Sequence, residues 1–484
     1  MDGPESNAID LLAHWWLPVE RESEQPGRRV PGRFVWEPDE GGDLQLMGEL
    51  REPKILENHL ESGGVQRYRA RPSELERRYP VIHGSRTTQG GHEEAYTLLH
   101  SLSLNAVGFH GLDELPEHIT VGAVLRGAWY SDPSEIEADR AIFDLQHLAT
   151  WVDQDSIKTE FLPLNDGPNG AHLTIEAHTR PAISTTYDGA EVKLVQRLPH
   201  TGSDHSSGVA QEWQLVIEIK PMGELDRYTD IATDMRALVT IAAGKTSDIT
   251  AAVLQHPKLH KYRLDGTPAP GFRDDITYWN RWAHRGKDSS IVRSHDLYFN
   301  FEQFGGADGI RCWLETASTY RTELRRVMAT RYTDCMYLED RIMNTCAALE
   351  RFDKVRRPGE TKLSSKNEQV KLSFVDHVQA CVGYVGKPFE DLIGEPTSDW
   401  AKRVRVARNQ LAHHDDPFRT TGQVGEYLLA EQVFWLFAMC MFRASGAPES
   451  TFEAVMEHQQ IRWLQSEAAK RRAEETPHEE TADE

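Results

Sequence analysis

Cysteine is scarce in this chain, and the few cysteines it has are far apart. The 484 residues include five, which are Cys312, Cys335, Cys346, Cys381 and Cys440, with no C-x-x-C pair among them. An odd number of widely spaced cysteines does not build a disulfide framework, and it lacks the paired spacing of a structural zinc site. We therefore expect buried, reduced thiols in a cytoplasmic protein.

Long apolar runs and an excess of positive charge are also missing. The most apolar stretch, Val433 to Phe442, is about ten residues long, whereas a membrane-spanning helix needs about 20, so it predicts a buried core helix. The acidic residues 1–5 contain no apolar run, and we expect no signal peptide. The net charge of -22 excludes a protein covered with nucleic-acid-binding surface, but it allows a local basic site.

The first half of the sequence has the pattern of β-strands. Short apolar runs, some with alternating polarity, are separated by segments rich in Gly, Asp, Ser and Asn, notably 165–170 and 201–208. The predicted strands are Phe34–Trp36, Leu44–Gly48, Ala95–Leu104, Ile119–Tyr130, His172–Ala177, Glu191–Gln196 and Trp213–Lys220. They predict an antiparallel sheet system that is sandwich-like or barrel-like, and the sequence leaves that choice open.

From about Tyr228 the apolar residues recur at helical spacing, and long helices dominate after about residue 320. A further strand is predicted at 297–301. The overall prediction is an α+β protein with four parts. These are a β-rich sensor domain at 1–225, a mixed connecting region at 226–315, a helical bundle at 316–465 and a disordered acidic tail at 466–484.

The segment from Trp400 to Asp416 carries the most distinctive group of polar residues. Val404, Ala407 and Leu411 form one apolar stripe of a helix, and cations occupy much of the remaining surface. Arg408 and Asn409 precede His413 by five and four residues, and Pro417 then stops the helix. An arginine, an amide and a histidine are thus brought to one helix end.

This set of side chains suits RNA cleavage without a metal or a cofactor. Histidine can take the proton from a ribose 2′-hydroxyl or protonate the leaving 5′-oxygen, because its pKa lies near neutral pH. Arginine stays charged and stabilises the pentacoordinate phosphate. We assign Arg408 as the cation, His413 as base or acid, and Asn409 as a positioning group. Lys402, Arg403 and Arg405 are candidate RNA contacts.

The Arg408-Asn409-x3-His413 spacing resembles the R-x4-H motif of HEPN domains. The N-terminal segments Gly32-Arg33-Phe34, Leu44–Gly48 and Ile82-His83-Gly84 resemble the N-terminal domain of ApeA anti-phage proteins. The HEPN resemblance implies a supporting acid on an earlier helix, for which Glu339 and Glu350 are both candidates, and His414 is a neighbouring candidate group.

The two resemblances together imply an abortive-infection protein. Its C-terminal HEPN ribonuclease would pair into a homodimer, so that both histidines face one phosphate. The N-terminal domain would hold it silent until a phage-derived trigger appears. The substrate would be RNA, with tRNA one candidate, and no membrane is implied.

Two other interpretations are open at this point. The run His413-His414-Asp415-Asp416 offers four metal ligands, although adjacent helix residues point about 100° apart and seldom share an ion. Alternatively, the helical domain is a non-catalytic module that binds RNA or protein. Loss of cleavage with retained binding on replacing His413 would separate an enzyme from such a module.

Overall fold

The chain divides into two compact units in the computed structural model. It describes residues 8–18, 28–38, 40–52, 54–59, 64–70, 72–88, 90–104, 116–163, 171–203, 206–263, 267–281, 291–333, 335–364, 366–412 and 422–475. The first unit, called the sheet unit, comprises Met1–Gln146, Ser156–Thr233 and Asp248–Ser289. The second, the helical unit, comprises His147–Asp155, Asp234–Ser247 and Ser290–Glu484.

The described part of the sheet unit consists mainly of strands. They are β1 (Ile9–Trp16), β2 (Val30–Glu37), β3 (Gly41–Leu46), β4 (Ile55–His59), β5 (Val65–Arg69), β6 (Arg78–Thr87), β7 (Glu93–Ser103), β8 (Glu117–Val121), β9 (Ala123–Arg126), β10 (Glu137–Leu145), β11 (Ile157–Pro163), β12 (Ala171–Ala177), β13 (Ile183–Tyr187), β14 (Ala190–Arg197), β15 (His200–Ser203), β16 (Ser206–Val209), β17 (Glu212–Glu224), β18 (Ile249–Tyr262) and β19 (Pro268–Asn280).

Thirteen of these strands form one antiparallel sheet, part of which closes into a barrel. The order is β13-β14-β17-β10-β18-β19-β9-β7-β6-β1-β2-β3-β8. β8 also pairs with β7, with Leu102 opposite Thr120 and Ser103 opposite Ile119, so that β7, β6, β1, β2, β3 and β8 make a closed ring. The predicted strand Ile119–Tyr130 is in fact two strands, since it breaks at Gly122. β8 completes the barrel, and β9 leads into the open part of the sheet.

The barrel is filled by alternate residues of its strands. Trp15 has no exposed surface, and its ring centroid lies 5.6 Å from that of Phe34 and 6.2 Å from that of Tyr96. The neighbouring Trp16 points the other way and is half-buried, and its ring contacts Trp129. Trp15 is therefore part of the barrel core, and Trp16 is only partly buried.

Three hairpins stand apart from the main sheet, each a pair of antiparallel strands. They are β4–β5, β11–β12 and β15–β16. The strands of the last hairpin, β15 (His200–Ser203) and β16 (Ser206–Val209), lie where the sequence predicts a loop at 201–208.

The helical unit contains α1 (Leu148–Val152), the second half of α2 (Leu225–Ala243), and the elements that follow residue 290. These are α3 (Gly306–Thr319), α4 (Arg321–Tyr332), α5 (Leu338–Arg356), β20 (Thr361–Leu363), β21 (Gln369–Lys371), α6 (Phe374–Val385), α7 (Lys387–Ile393), α8 (Thr397–Ala412), α9 (Gly422–Ala444), α10 (Glu449–Glu457) and α11 (Gln459–Glu475). Residues 297–301 lie in loop and turn, so the strand predicted there is wrong.

α9 is the central helix of this unit. By length and composition alone, its segment Val424–Ala444 could cross a membrane. However, 78% of the most apolar 18-residue stretch of this segment is buried inside the protein. All residues from Val433 to Phe442 are buried. The prediction of a core helix at this stretch is confirmed, and the α+β class is confirmed for the chain as a whole.

The observed units differ from the four predicted parts. β18 and β19 lie inside the predicted connecting region 226–315 but pair within the main sheet, so the sheet extends well beyond residue 225. The predicted tail 466–484 begins too early, because α11 continues to Glu475 and is anchored by the fully buried Ile461 and Leu464. Residues 476–484 lie outside the described residues.

Gly84 of β6 provides a test of the barrel core. A Cβ added there would lie 2.2 Å from Cζ3 of Trp15, which the fully buried ring cannot relieve without moving its neighbours. We expect Gly84→Ala to lower the free energy of unfolding by about 1–3 kcal/mol, measured by chemical denaturation with tryptophan fluorescence. Gly90→Ala is the control, since its nearest atom would be 3.4 Å away. Equal stability of the two variants would contradict this packing.

Candidate active site

α8 is held in place by its apolar face, and this fixes which side chains point outward. Trp400, Ala401 and Val404 have no exposed surface, and Nε1 of Trp400 donates a hydrogen bond of 2.8 Å to Oε1 of Gln432 on α9. Of the predicted apolar stripe, Val404 is buried, whereas Ala407 and Leu411 are half-buried. Arg408 and the cations before it therefore lie on the sides and outer face of a firmly packed helix.

Arg408 is held by two contacts from other helices. Its Nη2 donates to Oε2 of Glu350 on α5 over 3.2 Å. Its guanidinium lies over the ring of Phe374 on α6, with Cζ 4.4 Å from the ring centroid, a distance typical of a cation–π contact. Arg408 is still 30% exposed, so an immobilised cation faces solvent at the end of α8.

The structure shows which of the two candidate acids, Glu339 and Glu350, contacts Arg408. Glu350 contacts Arg408 directly, whereas Glu339 lies in the first turn of α5, about 16 Å further along the helix axis. Among the described residues, Glu339 has no interaction with Arg408. Glu350 is therefore the acid associated with the arginine.

Glu350 is ionised despite being partly buried. Burial raises its pKa, but the hydrogen bond from Lys354 and the charges of Lys354, Arg408 and His377 outweigh this effect, so the pKa is lowered. The Lys354 Nζ lies 2.6 Å from Oε1 of Glu350. The carboxylate thus carries two cations, one on each oxygen.

A second polar pair lies one helical turn further along α5 and was missed by the sequence analysis. Asp353 is fully buried, and its Oδ2 lies 2.8 Å from Nδ1 of His377 on α6. The sequence gives no signal for this contact, because the two residues lie on different helices separated by the β20–β21 hairpin.

The predicted RNA-contacting cations are in different electrostatic situations. Lys402 lies 3.1 Å from Asp399, and Arg403 pairs with Glu395. Arg405 is exposed and has no ion pair among the described residues, and Asn409 is likewise exposed without a hydrogen bond there. Arg405 is therefore the most available of the three cations for a phosphate.

His413 and His414 lie outside the described residues, which stop at Ala412 in α8. The same holds for the rival metal site at His413–Asp416. Among the residues that the structure does describe, no three His, Cys, Asp or Glu side chains are grouped so as to hold a metal ion.

The fold defines the class of protein, which is an α+β chain with a barrel-containing sheet unit and a helical unit. The family model for the ApeA N-terminal domain 1 matches residues 11–313, which is more than half of the chain, and the protein belongs to this family. The predicted ApeA resemblance is thereby confirmed, and it indicates an ApeA-type anti-phage defence protein. No curated protein and no solved structure matches the chain.

The match ends within α3, before any residue of the candidate site. The helical unit from α4 onward thus lies outside the matched residues. Its function has to be argued from its own side chains.

The Glu350–Arg408 pair makes a prediction about stability and pH. Because the pKa of Glu350 is lowered in the folded protein, its carboxylate stabilises the fold above its ordinary pKa of about 4.3, and this contribution is lost as the pH falls through the folded value. We expect Glu350→Gln to lower the free energy of unfolding by about 1 kcal/mol at pH 7. The difference from wild type should shrink below about pH 4.

Glu339→Gln on the same helix is the matched control for thermal melts at both pH values. Glu339 is half-buried and has no hydrogen bond or ion pair among the described residues, so its replacement should be nearly neutral. If both variants lost the same stability, the ion pair to Arg408 would not be the cause.

Proposed function

We propose that the protein is a metal-independent endoribonuclease of the HEPN type, acting in abortive-infection defence against phage. The observation that carries this proposal is Arg408, which is fixed by Glu350 and Phe374 yet partly exposed. In the sequence it precedes His413 by five residues. Family membership supports the defence role, and the helical surroundings support the HEPN assignment.

The geometry of Arg408 fits stabilisation of the reacting phosphate. One Nη of its guanidinium is held by Glu350 and one face by Phe374, so the side chain is already ordered before RNA binds. A preorganised cation does not need to reorganise as charge develops on the phosphate oxygens. His413 supplies proton transfer, Asn409 positions the RNA or the histidine, and the products carry a 2′,3′-cyclic phosphate and a 5′-hydroxyl.

The remaining parts of the proposal concern partners and regulation. The protein works in the cytoplasm on RNA, with tRNA one candidate, and forms a homodimer through its HEPN domain. The N-terminal domain restrains the nuclease until a phage-derived trigger releases it. A non-catalytic module that binds RNA or protein is the second candidate. The exposed Arg405 supports it, since a cation without an ion pair among the described residues serves binding as well as cleavage.

Replacing His413 tests cleavage itself. In phage-infected cells that express the full-length protein, wild type should produce RNA fragments with cyclic-phosphate ends. His413→Ala should reduce them by about 100-fold or more, which is the size of a lost proton-transfer group. The readout is sequencing selective for these ends, together with phage titre.

His295→Ala is the control for this experiment, because His295 is an exposed histidine of the helical unit, with 72% of its side chain accessible. It should cut RNA as wild type does. Equal fragments and equal protection in wild type and His413→Ala would favour the binding module instead.

Arg405 tests the predicted RNA contact. Each phosphate contact on single-stranded RNA contributes about 0.7 to the slope of log Kd against log salt concentration. We expect Arg405→Gln to weaken RNA binding about threefold and to reduce that slope by about 0.7. Arg403→Gln should have a smaller effect, because Glu395 already pairs with Arg403. An unchanged Kd and slope for Arg405→Gln would remove it from the RNA surface.

A further inference from the structure

We infer that His377 is the general base of the RNA-cleaving site and that Asp353 is its positioning residue. This inference rests on the proposed ribonuclease function and adds a residue to it. It assigns proton abstraction to His377 and leaves protonation of the leaving group to His413.

The buried carboxylate of Asp353 fixes the imidazole of His377. Asp353 has no exposed surface, and both of its oxygens are occupied. Oδ1 accepts from Arg356 Nη2 at 2.6 Å and Arg357 Nε at 2.9 Å, and Oδ2 accepts from Arg357 Nη2 at 2.5 Å. His377 Nδ1 completes the set at 2.8 Å. With two arginines beside it, Asp353 remains a carboxylate, which can only accept hydrogen bonds.

This arrangement determines the tautomer of His377. Because Asp353 accepts, Nδ1 carries the proton, and in the neutral ring Nε2 then carries the lone pair. Among the described residues, Nε2 has no hydrogen-bond partner. This atom is not fully buried, although His377 as a whole is only 5% exposed. A carboxylate behind the ring and a free lone pair in front are the arrangement of a general base.

The Asp353–His377 pair lies one helical turn along α5 and α6 from the two residues that hold Arg408. Arg408 contacts Glu350 on α5 and Phe374 on α6. Asp353 and His377 each follow one of these contacts by three residues, which is about 4.5 Å of rise on the same helix face. When it is protonated, His377 also lowers the pKa of Glu350, as expected for a neighbouring group.

The proposed step removes one proton from the 2′-hydroxyl and gives one proton to the 5′-oxygen. His377 Nε2 takes the proton from the 2′-hydroxyl, and the 2′-oxygen forms a bond to phosphorus. The bond between phosphorus and the 5′-oxygen breaks, and His413 gives its proton to that oxygen. Arg408 stabilises the non-bridging oxygens, and exchange with water returns both imidazoles to their starting states.

A purely structural role for the Asp353–His377 pair is the alternative, since it also joins α5 to α6. His377→Asn separates the two roles. The amide nitrogen of asparagine can take the place of Nδ1 and keep the hydrogen bond to Asp353, but asparagine has no equivalent of Nε2. A structural role therefore tolerates this substitution, whereas a general base is lost.

The experiment compares full-length wild type, His377→Asn and His295→Asn in phage-infected cells, with the purified proteins tested for melting temperature and RNA binding. We expect His377→Asn to melt and bind RNA as wild type does, and to produce about 100-fold fewer cyclic-phosphate ends. His295→Asn, at an exposed position, should cut normally. Wild-type cleavage by His377→Asn would overturn the inference. Absence of cleavage in wild type, with protection intact, would instead overturn the ribonuclease proposal.

A substrate with sulfur in place of the 5′-oxygen distinguishes base from acid, because a thiolate leaves without protonation. The proteins are isolated from infected cells for this assay. His413→Ala should regain most of its activity on this substrate, and His377→Asn should stay impaired. Rescue of His377→Asn would show that it acts as the acid and would overturn the assignment as base.

Discussion

A carboxylate without exposed surface cannot remain charged unless its neighbours compensate it, and Asp353 of the helical unit is such a group. Asp353 receives hydrogen bonds from Arg356, Arg357 and His377. Burial alone would raise its pKa, yet these donors lower it. Removing one partner of such a group is costly, because the remaining charge stays buried. The need to satisfy Asp353 therefore fixes the end of α5 against α6.

The order imposed at Asp353 extends to the arginine of the site. Glu350 precedes Asp353 by one turn on α5, and Phe374 precedes His377 by one turn on α6. Once the two helices are held together, the carboxylate and the ring form the two sides of a slot into which Arg408 fits. An exposed arginine would otherwise lose considerable side-chain entropy on binding a phosphate. Here that entropy is already lost in the folded protein.

The sequence allowed the fold class and the main helix to be predicted, but not the contacts between distant elements. Apolar periodicity is local, and it correctly indicated α8 and the buried stretch Val433–Phe442. Barrel closure depends on two residue pairs between β7 and β8 and on the break at Gly122, which no periodicity reveals. For the same reason the sequence could not choose Glu350 over Glu339, nor join Asp353 to His377. Those choices depend on how α5, α6 and α8 pack.

The position of His377 changes what a dimer would be needed for. If each chain held only His413, a partner would have to supply the second histidine across the phosphate. If His377 is the base, the proposed base, acid and cation all belong to one chain, and pairing would serve instead to build an RNA-binding surface around them. If the chain binds RNA, its net charge of -22 makes such a surface important, because the attraction would have to come from a few local cations such as Arg405. Two copies side by side would double that local charge without changing the chemistry of either site.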